Sequence, residues 1–69
     1  MIGWARTDDM LPLPSLIEHG TNEATKILCI RRGDRTPFVW DPYTNDATEK
    51  FRRTVLAWAY IWVPEELRP

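Results

Sequence analysis

The sequence predicts a small α+β or mainly β domain: a three-stranded antiparallel sheet with an N-terminal strap and at most one short helix. Three observations predict this class. The chain has 69 residues, which is enough for one domain. Residues 25–41 and 55–63 are rich in β-branched and aromatic side chains, which favour strands. One cysteine and one histidine exclude an intrachain disulfide and a Cys/His zinc cluster, so large side chains must form the core.

Residues 1–24 are predicted to form a proline-containing strap across the sheet. Pro12 and Pro14 fix φ and push the residues before them toward extended conformations. Leu11 is then expected to contact the core. A short helical turn over residues 15–19, ended by Gly20, is the alternative for the end of this segment.

Residues 25–41 are predicted to form a β-hairpin. The run 25–32 has no strand breaker, and its alternation places Ile27 and Cys29 on one face. Gly33 can adopt the positive φ of a tight turn. The returning strand, 36–41, contains Val39, and Pro37 near its start limits it to a sheet edge.

Residues 42–54 form a loop or a short helix, and the sequence leaves both open. Asp46 followed by Glu49 resembles a capping box at the start of a helix. Such a helix would cover Ala47 to Arg53.

Residues 55–63 fit either a strand or a helix by periodicity, and their composition favours the last strand. As a strand, one face carries alanines and the other an aromatic row that includes Trp58, Tyr60 and Trp62. Ile61 is expected in the core, and residues 64–69 form a tail. The uncharged run is far shorter than the roughly 20 residues of a membrane span, so we expect a cytoplasmic protein without membrane contact.

The net charge of −1 hides an uneven distribution. Residues 1–24 carry −3, residues 25–53 carry +3 and residues 54–69 carry −1. The basic middle is either a solvated face or a functional patch. As a patch, the segment 26–53 would make the protein a nucleic-acid-binding accessory protein, with Trp40 or Tyr43 available for base stacking.

A second hypothesis is protein binding, because so small a sheet cannot easily bury all its aromatic side chains. The partner would be another protein, or a second copy in a homodimer. The candidate partner-binding residues are Arg31, Arg32, Arg35, Trp40, Arg52, Arg53, Trp58 and Tyr60.

Signals for catalysis are poor. Asp8 and Asp9 are neighbours in sequence, so their side chains point in different directions and form no ready acid–base pair. Cys29 lies among apolar residues, where a buried, inert thiol is expected. We expect no enzyme activity, no catalytic residue, no metal and no cofactor.

Two markers at the ends of the chain carry a family resemblance. The start "WARTDDMLP" contains Trp4, Leu11 and Pro12, and "IWVPEELRP" places Trp62 before a Pro- and Glu-containing tail. With the "FVWD" strand between them, the chain resembles the domain-of-unknown-function 551 family of small phage and prophage proteins. The resemblance implies a small antiparallel sheet with Trp4, Leu11 and Trp62 in its core. It also implies a phage or prophage origin, and hence a bacterial host cell, but no activity. Small phage proteins without catalytic residues commonly occupy the surface of a host protein. In the protein-binding hypothesis the partner would then be a host or phage protein, and inhibition of a host factor, such as a defence or transcription component, is one form that this binding would take.

Overall fold

The computed structural model describes residues 3–20, 23–42 and 44–68, which form an α+β domain with an antiparallel sheet and two α-helices. The sheet has four strands in the order β1-β4-β2-β3. The strands are β1 Ala5–Arg6, β2 Thr25–Arg31, β3 Pro37–Val39 and β4 Val55–Trp62; the helices are α1 Pro14–Glu18 and α2 Ala47–Thr54. A 3-10 helix, Glu65–Leu67, follows β4. The predicted α+β class is confirmed. The predicted number of strands, three, and the prediction of at most one short helix were wrong.

Strands β2 and β3 pair as the predicted hairpin, with Cys29 opposite Phe38. The third strand is only three residues long and starts at Pro37. It lies at the edge of the sheet, where the missing N–H of a proline is tolerated.

The hairpin turn depends on two residues with positive φ, Gly33 at 89° and Arg35 at 58°. The N–H of Arg35 donates to the carbonyl of Arg31 over 2.9 Å. Asp34 Oδ1 accepts a 3.0 Å bond from the backbone N–H of Thr36, and this bond lowers the pKa of the Asp34 carboxyl. The turn is therefore closed by its own backbone and by one carboxylate.

Residues 42–54, for which the sequence allows either a loop or a helix, contain α2. The capping box predicted for the start of this helix was wrong. Asp46 occupies the N-cap with φ of 53°, in the left-handed region, and its side chain makes no capping hydrogen bond. The helix is instead held by its buried face, which includes Ala47 and Phe51. Packing rather than capping thus stabilises it.

The run 55–63 is a strand as its composition predicted, and β4 is a central strand of the sheet. Its pairing with β2 contains one bulge. Ile30 faces Ala57 and Arg31 faces Val55, so Leu56 is an extra residue on β4. The bulge lies directly after α2, where the chain must turn from helix into sheet.

A fourth strand, β1, lies within the predicted strap. Ala5 pairs with Trp58, and the N–H of Thr7 donates to the carbonyl of Leu56 over 3.1 Å. Two residues give no local strand signal, so this element depends on β4 being present.

The end of the strap forms α1, which begins at Pro14, a favourable residue for a first helical position. The helix ends at Glu18, and Gly20 turns the chain away from it: its φ is 58°, and its N–H donates to the Ser15 carbonyl over 3.0 Å. A Cβ at Gly20 would lie 2.5 Å from Pro42 Cγ, so only glycine fits.

Both helices pack on one face of the sheet, which we call the helix face. Residues opposite one another in the register share a face, so Ile27, Cys29 and Trp58 lie together on it. These three form the core with side chains from the helices, from the start of β4 and from the segment after β3: Leu16, Ile17, Trp40, Ala47, Phe51 and Val55.

Several predicted core residues lie elsewhere. Ile27 and Cys29 are buried, and Leu11 packs partly buried against the core. Val39 is 51% exposed, because the pairing of Cys29 with Phe38 turns Val39 to the face opposite the helices. The predicted burial of Val39 was wrong for that reason.

The two tryptophans expected in the core were also placed wrongly. Trp4 is 45% exposed at the margin of the sheet, just before β1. Trp62 is 76% exposed, because it ends β4 beyond the part of the helix face that the helices cover. Ile61 is half-buried and, by alternation, lies on the face opposite the helices.

Candidate protein-binding surfaces

The predicted basic residues come together at one end of the sheet. Arg31 ends β2, while Arg52 and Arg53 lie in the last turn of α2. Arg32 joins these elements, because its Nε donates to the carbonyl of Arg52 over 3.1 Å. Arg35 follows in the exposed hairpin turn.

Two of these arginines have structural contacts. The guanidinium of Arg31 lies 4.8 Å from the centroid of the Phe38 ring, a cation–π distance. Arg32 Nη2 donates to Asp8 Oδ1 over 2.8 Å. The hydrogen bond and charge of Arg32 lower the pKa of the Asp8 carboxyl. The basic end therefore joins the strap, the hairpin and α2, whatever else it binds.

Two aromatic residues predicted to face a partner are buried instead. Trp40 is 6% exposed; its Nε1 donates to the Ile17 carbonyl over 2.8 Å, and its ring meets Phe51 edge-on at 5.0 Å. Trp58 is 5% exposed, and its Nε1 donates to the Met10 carbonyl over 2.8 Å. Their placement on a binding surface was wrong, because the strap and α1 carbonyls take their indole N–H groups. Tyr43, the other predicted stacking residue, lies outside the described residues.

The third predicted aromatic belongs to a row of graded exposure. Trp58, Tyr60 and Trp62 alternate along β4 on the helix face, and they are 5%, 39% and 76% exposed. We call them the aromatic row. Trp58 and Tyr60 contact edge-on at 5.0 Å, and Tyr60 Oη accepts a 2.8 Å hydrogen bond from the N–H of Leu13. The strap thus buries Trp58 and contacts the half-exposed Tyr60, whereas Trp62 is the most exposed member.

The basic end and the exposed end of the row do not form one patch. Arg31 pairs with Val55 at the start of β4, whereas Trp62 pairs with Thr25 at its end. The eight residues of β4 separate them by about 20 Å at a strand's usual rise. The predicted patch of aromatic residues with an arginine rim is therefore divided.

The sequence prediction missed the other side of the sheet, which we call the open face. Its apolar members are half-buried or exposed, apart from the buried Ala59: Leu28, Ile30, Pro37, Val39, Ala57, Ala59 and Ile61. The core that the described residues form lies on the helix face. The signal was present in the alternation of β4, which places its alanines opposite the aromatic row.

Two basic side chains flank the open face. Arg6 pairs with Ala57 on β1, and Lys26 pairs with Ile61 on β2, so both share this face with their partners. The described strand positions of the face carry no carboxylate. Trp4, two residues before Arg6, lies at the same margin by alternation.

Features of an enzyme are weak in the described residues. One surface depression of about 380 Å³ is lined by Thr7, Asp8, Asp9, Met10, Leu11 and Arg52. Another, of about 450 Å³, lies between the end of α1 and the start of α2. Within the described ranges no three His, Cys, Asp or Glu side chains cluster as metal ligands, and no helix could cross a bilayer. Cys29 is buried, which raises the pKa of its thiol to about 12.

The fold and its surfaces define a small α+β sheet domain with one covered and one open face. No protein-family model matches the chain, and neither the curated proteins nor the solved structures give a significant match. The resemblance to the domain-of-unknown-function 551 family therefore stays a prediction.

Proposed function

We propose that this chain is a non-enzymatic binding protein whose open face docks onto another protein. The observation that supports the proposal is a sheet face with aliphatic side chains at its centre and no described helix over it. Exposed apolar faces of this kind mark interaction sites, because their burial releases water.

The charges of the face favour an acidic partner. Arg6 and Lys26 lie at its two ends, and the described strand positions supply no carboxylate to balance them. A partner with an apolar surface between acidic side chains would pair with both ends, which raises specificity and the association rate. If the phage resemblance holds, that partner is a protein of the bacterial host, whose function the contact would inhibit.

A second copy of the chain fits this face less well. An isologous dimer would bring Arg6 and Lys26 of both copies together without acids from the same face. The sheet also offers only about 300 Å² of flat area, given strand spacing and length, against about 800 Å² per partner in a standard interface. These values favour a transient contact with another protein.

A nucleic acid also fits less well. Sheet-based recognition of single strands stacks bases on aromatic side chains in the middle of the sheet. Here the central positions are Leu28, Ile30, Ala57 and Ala59. Trp40 and Trp58, which could have stacked, are buried.

The test begins with a photo-crosslinking amino acid at Val39 and, as the matched control, at Leu67. Both side chains are exposed, at 51% and 71%, but only Val39 lies on the open face. A protein captured at Val39 alone is then purified and titrated against the intact chain and three variants. We expect Val39→Lys and Ile61→Lys to weaken binding about tenfold or more, and Leu67→Lys to leave it unchanged.

The charge argument has its own variant. Arg6→Glu with Lys26→Glu should weaken the same complex and remove most of its salt dependence. The proposal is wrong if the lysine variants bind as tightly as the parent chain. It is equally wrong if sedimentation shows that the open face forms a dimer, or if DNA or RNA competes for it.

A further inference from the structure

The strap contacts the aromatic row in the manner of a bound proline-rich peptide. Trp58 Nε1 donates to the carbonyl of Met10, and Tyr60 Oη accepts from the N–H of Leu13, each over 2.8 Å. Pro12 lies between these anchors and is buried. Leu13 has φ of −56° and ψ of 130°, close to the polyproline II conformation.

The spacing of the two chains explains this contact. Side chains on one face of a strand repeat every two residues, about 6.7 Å. Two residues of polyproline II advance about 6.2 Å. Two residues lie between the carbonyl of Met10 and the N–H of Leu13. The spacing of these two groups therefore matches the spacing of Trp58 and Tyr60 along β4. Proline-rich segments in this conformation also dock in the aromatic-lined grooves of peptide-recognition domains.

The aromatic row extends one residue, Trp62, beyond its last contact with the strap. Helix α1 begins at Pro14, directly after the contact with Tyr60, and turns the chain away from β4. The next aromatic, Trp62, is 76% exposed. Its indole ring offers the same flat face and N–H donor that Trp58 presents to the strap.

We propose that Tyr60 and Trp62 form a docking site for a proline-containing extended segment of a partner protein. The ligand would lie along β4 and continue the line of the strap, with its proline against Trp62. This occupant is favoured because the site extends an interface that the chain already makes with its own proline-containing segment. The site lies on the helix face, so it is separate from the open face.

The test uses a synthetic peptide that copies the strap, acetyl-Met-Leu-Pro-Leu-Pro-amide, and a control peptide with both prolines replaced by alanine. Titration of the ¹⁵N-labelled chain follows the indole N–H signals of the four tryptophans. We expect the Trp62 signal to shift with the proline peptide and to stay in place with the alanine peptide. The Trp40 signal should not move, because Trp40 is buried and bonded to Ile17.

Matched variants separate this site from other surfaces. Trp62→Ala should weaken peptide binding about tenfold or more, and Trp62→Phe should lose less because a flat ring remains. Trp4→Ala, at the margin of the open face, should bind like the parent chain. Val39→Lys, which tests the open face, should also leave peptide binding unchanged.

Three results would overturn the proposal. One is the absence of any Trp62 shift at millimolar peptide. Another is a dominant shift of Trp58, which would mean that the peptide displaces the strap rather than extending it. The last is a Trp62 shift that depends on protein concentration without peptide, since a second copy would then occupy the site.

Discussion

Arg32 and Asp8 form a 2.8 Å ion pair that holds the strap to the hairpin. Their side chains are 31% and 64% exposed, so the charge attraction itself is screened by water. Arg32 does more than pair with Asp8. Its Nε donates to the Arg52 carbonyl and its backbone N–H donates to that of Thr54, at the end of α2. One side chain thus joins three segments.

The pH dependence of stability should reveal the carboxylate half of this pair. Because Arg32 lowers the pKa of Asp8 in the folded state, the stabilisation is present above the unfolded pKa of 3.8 and is lost as the pH falls through the folded value. Urea unfolding should therefore show a loss of stability below about pH 5, and Asp8→Asn should reduce that loss. An unchanged acid response in Asp8→Asn would contradict the assignment.

Arg32→Ala should destabilise the fold more than Asp8→Asn at neutral pH. The substitution removes the ion pair and also the bond to the Arg52 carbonyl, and the loss of that bond alone should cost about 1 kcal/mol. Arg53→Ala is the matched control, because Arg53 is exposed in the same helical turn. Equal urea midpoints for the two alanine variants would mean that Arg32 has no joining role.

The same substitution should destabilise the fold at Trp40 and leave its stability nearly unchanged at Trp62. Trp40→Phe removes the indole N–H that satisfies the Ile17 carbonyl and leaves a gap beside Phe51, so we expect a loss of about 2–3 kcal/mol. Trp62→Phe, on a side chain that is 76% exposed, should change stability by less than about 0.5 kcal/mol. Acrylamide quenching should in turn fall most in Trp62→Phe. Comparable losses of stability in both variants would contradict the burial described here.

Strand β4 was predictable because the composition of a segment and the alternation of its side chains are local properties. The alternation also separated the alanines from the aromatic row. It could not tell which aromatic is buried, since that depends on where α1 and the strap end. Trp58 lies under Met10 while Trp62 lies beyond that cover, so the expected burial of the two was reversed.

The other wrong predictions also concern contacts between distant parts of the chain. Strand β1 exists only through its pairing of Ala5 with Trp58, a contact between distant parts of the chain. The sequence of a hairpin does not show which of its faces the helices cover. Val39 was therefore assigned to the wrong face of the sheet. The candidate site changed accordingly: the arginines lie together, and the alternation of β4 shows its two faces, but which face the helices cover depends on the tertiary packing.

Two glycines with positive φ should respond differently to alanine. At Gly20 a Cβ would lie 2.5 Å from Pro42 Cγ, so Gly20→Ala adds a clash to the left-handed strain and should cost about 2–4 kcal/mol. At Gly33 a Cβ would meet nothing within 4 Å, and Gly33→Ala should cost only about 1–2 kcal/mol. Thermal unfolding of both variants measures the difference. A larger loss at Gly33 would mean that Gly20 and Pro42 are not in contact.

Cys29 should be inert in the folded chain and should mark its stability at high pH. Burial raises the pKa of the thiol from 9.0 to about 12. A raised pKa contributes stability that is fully present below the unfolded value and is lost as the pH rises from about 9 toward 12. A disulfide reagent should therefore label Cys29 only after unfolding, at a rate set by the population of open molecules. Cys29→Ala should abolish labelling and flatten the alkaline loss of stability. Rapid labelling at neutral pH would show that the β2–β4 pair opens locally and that the core around Cys29 is looser than its complete burial indicates.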